Sequence, residues 1–187
     1  MTTITTPATL SELTGTWTID TSHSRVGFVA RHAMVTKVRG SFNEFEGQAV
    51  VAEDLAATTA SVTIQVASID TRNEQRDGHL KSNDFLAIDE FPTITFVSTG
   101  VTVTGPTSLE LAGDLTIKGV TNSVTVPFEF EGAALDPFGN LRAGFEGAVT
   151  INRKDYGVTW NAALETGGVL VSDKIALEFE ISAIKSA

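Results

Sequence analysis

A period-two alternation of apolar and polar residues constrains the fold of this chain more than any other feature of its sequence. The alternation is clearest from Ser24 to His32, where every second residue lies on one face: Ser24, Val26, Phe28, Ala30 and His32. Such a pattern is typical of a β-strand with one buried and one exposed face. This face is therefore predicted to line an interior, and it ends in a histidine.

Similar alternation recurs in about eight segments, which are separated mostly by short turns. Strands without intervening long helices indicate an all-β antiparallel sheet, and long strands with polar outer faces favour a closed barrel. Closure also removes the unpaired edges that would otherwise aggregate. We therefore predict an extended antiparallel up-and-down β-barrel of about eight strands with short helical links, either filled by side chains or holding one small ligand.

Two positions interrupt the strand pattern. The apolar residues change parity between Phe42 and Phe45, which predicts a β-bulge near residues 43–44 that bends the strand. Pro127 lies within another alternating segment, on the parity opposite to the apolar residues. Because proline has no N–H to donate, it predicts a break in the ladder at that point.

Two further segments are predicted to be short helical links. Residues 71–74, Thr-Arg-Asn-Glu, have the pattern of a helical capping box, so a helix is predicted to follow and to be stopped by Pro92. Trp160 and Leu164 stand one helical turn apart and predict a second, lid-like piece. His79 falls in the polar part of the first link and is predicted to be solvated.

Length and composition indicate one domain and exclude several kinds of site. A chain of 187 residues and 19.8 kDa is long enough to bury a core without disulfides. Cysteine is absent, which excludes thiol catalysis and cysteine metal sites. The net charge of −10, with scattered lysines and arginines, argues against a nucleic-acid partner and against a basic patch for an anionic membrane.

The ends of the chain and its hydropathy bear on location. No run approaches the roughly 18 to 20 apolar residues of a transmembrane helix. Residues 1–14 lack the basic start and apolar core of a signal peptide and are predicted to form a mobile tail, with the barrel domain at 15–187. The expected location is cytoplasmic, or periplasmic or secreted if a leader has been removed.

Glycines on the inward face raise the question of a cavity. Four of them share the parity of the apolar residues around them: Gly40, Gly47, Gly113 and Gly147. Inward glycines either mark barrel corners or leave space beside inward phenylalanines, and both interpretations can hold together. A third possibility is a barrel that is fully packed and serves as a structural or interaction module.

A cavity in this barrel would have aliphatic and aromatic walls, with Ser24, His32 and Ser98 as its few polar groups. A hydrocarbon chain gains about 0.8 kcal/mol per buried CH₂, so a long chain binds there without specific polar contacts. No cofactor and no metal are predicted. The predicted ligand-binding residues are Val26, Phe28, Ala30, His32, Met34, Phe42, Ile64, Leu80, Phe85, Phe96, Leu115, Phe128, Phe145 and Trp160.

Catalytic motifs are missing from the sequence. It contains no GxSxG elbow, Walker loop, dinucleotide-binding glycine motif or HExxH. Asp20, His23 and Ser24 lie too close along one extended segment to align as a triad. The enzymatic alternative is a lipid-modifying barrel with His32 as acid or base, although the favoured interpretation of His32 is a satisfied interior histidine. Arg153 is predicted to pair structurally with Asp155 at a strand end.

Seven motifs, in order and with matching spacing, resemble the YceI-like family. They are HSRVGFVARH at 23–32, GSFNEFEG at 40–47, SIDT at 68–71, RDGHLKSNDF at 76–85, FPTITF at 91–96, GDLTIKGVT at 113–121 and INRKDYG at 151–157. Together they span nearly everything from Trp17 to the C-terminus.

The resemblance implies a lipocalin-like barrel, often dimeric, whose interior binds polyisoprenoid or similar long-chain amphiphiles such as quinones or fatty-acid derivatives. The implied function is a non-catalytic carrier, storage or sequestering protein, with a homodimer as the expected assembly. Two features depart from the family pattern. Many members are exported, whereas no leader is seen here, and Leu86 stands where the family often has a second aromatic residue.

Overall fold

The computed structural model describes residues 6–186. Within that range it contains one α-helix, α1 (Glu74–Lys81), several short 3₁₀ turns and eleven β-strands. The strands are β1 (Gly15–Ile19), β2 (Arg25–His32), β3 (Thr36–Phe42), β4 (Phe45–Val51), β5 (Thr59–Gln65), β6 (Ile69–Asp70), β7 (Thr93–Val103), β8 (Ser108–Ile117), β9 (Val120–Leu135), β10 (Leu141–Asn152) and β11 (Lys174–Lys185).

The strands form one closed antiparallel barrel. Its order is β1-β4-β5-β7-β8-β9-β10-β11-β2-β3-β6, and an additional pairing of β1 with β11 closes the sheet. One edge of β11 pairs with β2 along its first half and with β1 near its end. β1 and β2 thus share one position of the barrel, as do β3 with β4 and β5 with β6. The resulting eight positions follow one another in chain order, which confirms the predicted up-and-down barrel.

The parity shift after Phe42 marks a break between two strands, so the predicted bulge within one strand is wrong. β3 pairs with β2 and β6, whereas β4 pairs with β1 and β5. The residues between them keep their backbone bonds to the neighbouring position: Asn43 N–H donates to Ser68 O, and Gln65 N–H donates to Glu44 O. The chain therefore changes its pairing partners between Phe42 and Phe45.

Pro127 coincides with a one-sided end of pairing, as predicted. On the β8 side, β9 continues through Pro127, which lies opposite Glu110. On the β10 side, the register runs from Leu135–Leu141 only as far as Phe128–Gly147. In the part of the chain that the structure describes, residues 120–126 of β9 and 148–152 of β10 are therefore unpaired with each other. Residues 155 and 157 approach this interval, where Asn122 Nδ2 donates to Asp155 O and Lys118 Nζ donates to Gly157 O. We call this interval without strand pairing the wall gap.

The helix begins two residues later and ends earlier than its sequence pattern predicts. The N-cap of α1 is Asn73, whose side chain accepts a hydrogen bond from Arg76 N–H. Thr71 instead donates its N–H and its hydroxyl to Asp77, so the predicted capping box at 71–74 is wrong. The helix ends at Lys81, where the Ser82 hydroxyl donates to His79 O, well before Pro92.

Only the first residues of the segment after β10 are helical. Residues 153–156 form a 3₁₀ turn, and residues 157–173 are irregular, with two isolated β-bridges at Ala163–Val169 and His32–Val171. A reverse turn, in which Leu164 O accepts from Gly167 N–H, replaces the predicted helical turn. The segment follows the end of the barrel instead of forming its own helix.

The N-terminal segment is part of the barrel core from Leu10 onward. Leu10 and Leu13, in and after a 3₁₀ turn, are buried in a cluster with Trp17. The Trp17 indole N–H donates to Leu13 O at 2.7 Å, and Leu10 N–H donates to Pro106 O at 2.9 Å. The predicted mobile tail of residues 1–14 is therefore wrong for 10–13, while residues 1–5 lie outside the described residues.

Candidate functional site

The barrel encloses a cavity of about 360 Å³. All eleven strands contribute side chains to its lining, which extends from Leu10 and Leu13 at one end to Arg153 and Val171 at the other. The lining is almost wholly apolar, with aliphatic and phenylalanine side chains throughout. A volume of this size lies within the range of small-molecule sites.

The structure places eleven of the fourteen predicted site residues in the cavity lining. They are Val26, Phe28, Ala30, Phe42, Ile64, Leu80, Phe85, Phe96, Leu115, Phe128 and Phe145. Strands β2, β3, β5, β7, β8, β9 and β10 position nine of them, while Leu80 comes from α1 and Phe85 from the segment that follows it. The period-two pattern brings these residues together because it aligns one face of every strand with the interior.

The other three predicted residues lie outside the lining. His32 is the last residue of β2, is exposed, and pairs with Thr36 across the hairpin. Met34 lies in the turn of that hairpin and is also exposed. The predicted inward direction of His32 is wrong because β2 extends past the end of the barrel there, where no interior remains to face.

Trp160 belongs to an aromatic cluster with His79 of α1 and Phe85 of the segment that follows α1. Its ring meets the ring of His79 edge-on at 4.8 Å and that of Phe85 at 5.3 Å, and His79 meets Phe85 at 5.0 Å. These contacts cover part of the His79 side chain, and 41% of it stays exposed to solvent, in line with the prediction that it is solvated. Its Nε2 atom lies 2.8 Å from a carboxylate oxygen of Asp84. We call His79, Phe85 and Trp160 the aromatic lid.

Phenylalanine rings lie flat over inward glycines and line the wall. A Cβ atom at Gly147 would stand 2.6 Å from the ring of Phe128, and the other pairs are at least as close. The pairs are Gly40 with Phe28, Gly113 with Phe96 and Gly147 with Phe128, while Gly47 faces Ile19 and Val62. The glycines thus make room for rings against the wall, which leaves the centre of the barrel open.

Arg153 and Tyr156 are the main polar side chains at one end of the cavity. The Arg153 guanidinium donates to the carbonyl oxygens of Ser172, Val158 and Trp160, each at 2.8 Å, and more weakly to Val171 O. Its closest carboxylate is Asp173 at 3.8 Å, so the predicted pair with Asp155 is wrong. Arg153 shares the parity of the inward residues Val149 and Ile151, a signal that predicts its inward direction.

The Tyr156 hydroxyl is buried and makes no hydrogen bond of ordinary geometry among the described residues, although the Asn122 side chain is close enough to oppose the effect of burial on its pKa. Burial raises the pKa of the Tyr156 hydroxyl and lowers the pKa of the Arg153 guanidinium. Both shifts disfavour the charged form, as a low-dielectric surrounding does. An arginine nevertheless keeps its proton in proteins, so this end of the cavity has a fixed positive charge that backbone carbonyls solvate.

The remaining polar groups named from the sequence have structural partners outside the lining. The Ser24 hydroxyl donates to Ser182 O, and the Ser98 hydroxyl accepts from Ala60 N–H. The Nδ1 atom of His23 lies 2.7 Å from Asp20, while Ser24 faces away toward Ser182. These contacts do not form a catalytic triad.

An ion cluster ties together the end of the barrel opposite to Arg153. Arg142 donates to Asp20 at 2.6 Å and to Asp136 at 2.7 Å. Arg142 and Ser22 hold the pKa of Asp20 well below its usual range. The backbone N–H of Asn140 is the main cause that lowers the pKa of Asp136 to about 2.

Residues 6–186 contain no group of three or more histidine, aspartate or glutamate side chains placed to hold a metal ion. In the same range, no helix has both the length and the apolar character needed to cross a membrane.

The fold and the cavity together define a lipocalin-like antiparallel β-barrel with room for one small ligand. A family model described as the YceI-like domain matches residues 17–183, so the chain belongs to the YceI-like family. The UPF0312 protein SAS2572 of Staphylococcus aureus (strain MSSA476) is 44% identical over 170 residues, which cover 89% of this chain and 95% of the relative.

Solved structures share the same architecture. Burkholderia cenocepacia BcnA superimposes with a TM-score of 0.77 at 26% identity, covering 88% of this chain and 98% of that chain. The YCEI protein of Campylobacter jejuni gives a TM-score of 0.72 at 27% identity over 84% and 90% of the two chains. A domain from Saccharophagus degradans, described as polyisoprenoid binding, gives 0.71 at 14% identity over 91% and 98%, a likeness of fold alone.

Proposed function

We propose that this protein binds one long-chain amphiphilic lipid, a polyisoprenoid, isoprenoid quinone or related molecule, inside the barrel. It acts as a non-catalytic carrier, storage or sequestering protein for that lipid. The observation that carries the proposal is the closed barrel around a cavity with almost wholly apolar walls. Such walls offer a favourable environment to a hydrocarbon chain, and the positive charge of Arg153 at one end is already solvated by backbone carbonyls.

The gain from a prenyl chain is large enough to account for tight binding. At about 0.8 kcal/mol per CH₂, an isoprene unit of five carbons gains roughly 4 kcal/mol when it is fully buried. Two units correspond to roughly 8 kcal/mol, the free energy of a micromolar complex before the costs of association are subtracted. A short chain segment inside the cavity therefore suffices without a specific polar contact.

The eleven predicted residues that line the cavity are the proposed ligand contacts. The likeness in fold to the Saccharophagus degradans domain supports polyisoprenoids as the first ligands to test. The Tyr156 hydroxyl, buried and unpartnered, is the proposed hydrogen-bond partner of an oxygen atom on the lipid. A hydroxyl that gains a partner no longer incurs the cost of an unsatisfied buried group.

Native mass spectrometry of freshly purified protein, followed by lipid extraction, tests the proposal. We expect a co-purifying amphiphile, or uptake of one added polyprenyl lipid per chain. Ala60→Phe places a ring in the cavity and is expected to abolish uptake, whereas Thr59→Phe, on the exposed face of the same strand, is the matched control. A protein that is always empty and ignores polyprenyl lipids would contradict the proposal.

A further inference from the structure

Positive charge is concentrated in one hairpin of an otherwise acidic chain, so the prediction that the basic residues are scattered and form no patch is wrong for this hairpin. The chain has 13 lysines and arginines against 23 aspartates and glutamates. Residues 25–42, which form β2, β3 and their turn, contain four of the 13 basic residues and no acidic one. The rest of the chain therefore has nine basic against 23 acidic residues, a net charge of −14. We call residues 25–42 the basic hairpin.

The hairpin gathers three exposed basic side chains on its outer face. Arg31 lies directly opposite Lys37, and Arg39 follows Lys37 by two residues on the same face. Within residues 6–186 none of these three forms a salt bridge, whereas Arg25 pairs with Glu178 at 3.3 Å. Like charges directly opposite each other destabilise a β-ladder. The arrangement therefore favours an external anionic partner.

The tip of the basic hairpin is apolar and exposed. Met34 and Val35 expose 54% and 73% of their surface. Ala33 and Met34 both have positive φ angles, 51° and 62°, a conformation in which hairpin turns strongly favour glycine or asparagine. The turn adopts this unfavourable backbone conformation, and the apolar side chains of Met34 and Val35 are exposed to solvent. Apolar residues flanked by basic ones suit the interface of a bilayer, where the former insert and the latter contact anionic headgroups.

We propose that the basic hairpin docks this protein on an anionic lipid bilayer. Met34 and Val35 insert at the level of the headgroups, and Arg31, Lys37 and Arg39 contact lipid phosphates. At about fivefold in affinity for each basic residue near an anionic surface, the three together predict about a hundredfold effect. The acidic remainder of the chain is repelled, but screening limits that repulsion to about 8–10 Å, so the charge asymmetry selects one orientation.

Docking by this hairpin brings the wall gap toward the bilayer. Asn152, at the gap, lies opposite Lys174 at the start of β11, and Ala176 lies opposite Val29 in the basic hairpin. Ala30 of the same hairpin lines the cavity. The docked end is thus the end at which β9 and β10 do not pair and the 3₁₀ turn at 153–156 contacts β9 instead. A role in loading or releasing lipid through the gap rests on the proposed function, whereas docking itself does not.

Co-sedimentation with lipid vesicles tests docking. Wild-type protein is expected to bind vesicles of phosphatidylcholine mixed with phosphatidylglycerol, to ignore pure phosphatidylcholine, and to be released by high salt. The combined Arg31→Gln, Lys37→Gln and Arg39→Gln variant is expected to bind about a hundredfold more weakly. Met34→Ser with Val35→Ser is expected to weaken binding by about tenfold or more, because two apolar side chains no longer insert.

Phe138→Ser provides the matched control for the tip. Phe138 is 87% exposed in the turn between β9 and β10, at the opposite end of the barrel, and its loss is expected to leave vesicle binding unchanged. The hairpin variants are expected to take up detergent-solubilised polyprenyl lipid like wild type and to keep its melting temperature. Docking is overturned if wild type does not bind mixed vesicles, binds pure phosphatidylcholine equally, or loses binding through Phe138→Ser and not through the hairpin variants.

Discussion

The contact between Gly147 and Phe128 predicts a specific cost for one added methyl group. A Cβ at Gly147 would meet the Phe128 ring at 2.6 Å and the backbone oxygen of Pro127 at 2.9 Å, whereas ordinary contact begins at 3.4 Å. The ring must therefore move by 0.8 Å toward the cavity, and the backbone oxygen by 0.5 Å. Overpacking of this kind costs about 1–3 kcal/mol, so Gly147→Ala is expected to lower the free energy of unfolding by that amount.

Gly144, three residues earlier on the same strand, is the matched control. A Cβ there would meet nothing closer than 3.9 Å. Gly144→Ala is therefore expected to be neutral or to stabilise by up to about 1 kcal/mol, since alanine restricts the unfolded chain. Urea unfolding curves provide both free energies.

A double-mutant cycle isolates the contribution of the ring. Phe128→Leu shortens the side chain that Gly147→Ala displaces, so the two changes together are expected to cost less than their sum by about 1 kcal/mol. The Pro127 contact remains in the double variant, so the rescue is expected to be partial. The reasoning is refuted if Gly147→Ala and Gly144→Ala have equal free energies of unfolding, or if the cycle shows no coupling.

Three further outcomes follow from the site. Arg153→Met leaves three carbonyl oxygens without their donor and is expected to lower the free energy of unfolding by about 3 kcal/mol or more, while an unchanged urea midpoint would contradict this. Because the pKa of Asp136 is lowered from 3.8 to about 2, its stabilising contribution is complete above its unfolded pKa and is lost as the pH falls toward 2. Asp136→Asn is therefore expected to flatten the pH dependence of stability in that interval, and an unchanged slope would refute it. Trp160→Ala removes two ring contacts of the aromatic lid and is expected to speed exchange of a bound fluorescent lipid in stopped-flow measurements, with equal rates counting against the lid.

Alternation alone predicts the barrel and most of its lining. The parity of a residue predicts which face of the strand its side chain is on. Val26, Phe28 and Ala30 in β2 line the cavity as their parity predicts. It does not state where the interior ends. His32 has the same parity, yet it lies beyond the last layer of side chains and is exposed. The end of a barrel depends on the stagger of all its strands, which no single segment encodes.

Other errors arise where a side chain's usual behaviour conflicts with its position. Arg153 has inward parity, but a charged side chain is expected at the surface unless its hydrogen-bond partners are known. Those partners are backbone carbonyl groups in the range 158–172, which the sequence pattern does not place near Arg153. Leu10 and Leu13 lack alternation, so only the folded barrel shows that they close one end. The homodimer implied by the family resemblance stays a prediction.

Quenching of Trp17 fluorescence tests the central claim most directly. Trp17 lines the cavity, whereas Trp160, the other of the two tryptophans, does not, so Trp160→Phe leaves a reporter inside the barrel. Titration of this variant with a long-chain lipid brominated along its chain is expected to quench Trp17 until one lipid is bound per chain, and Ala60→Phe is expected to abolish the quenching. Fluorescence that stays constant throughout the titration, or that falls equally in the Ala60→Phe variant, would contradict a lipid site inside the barrel.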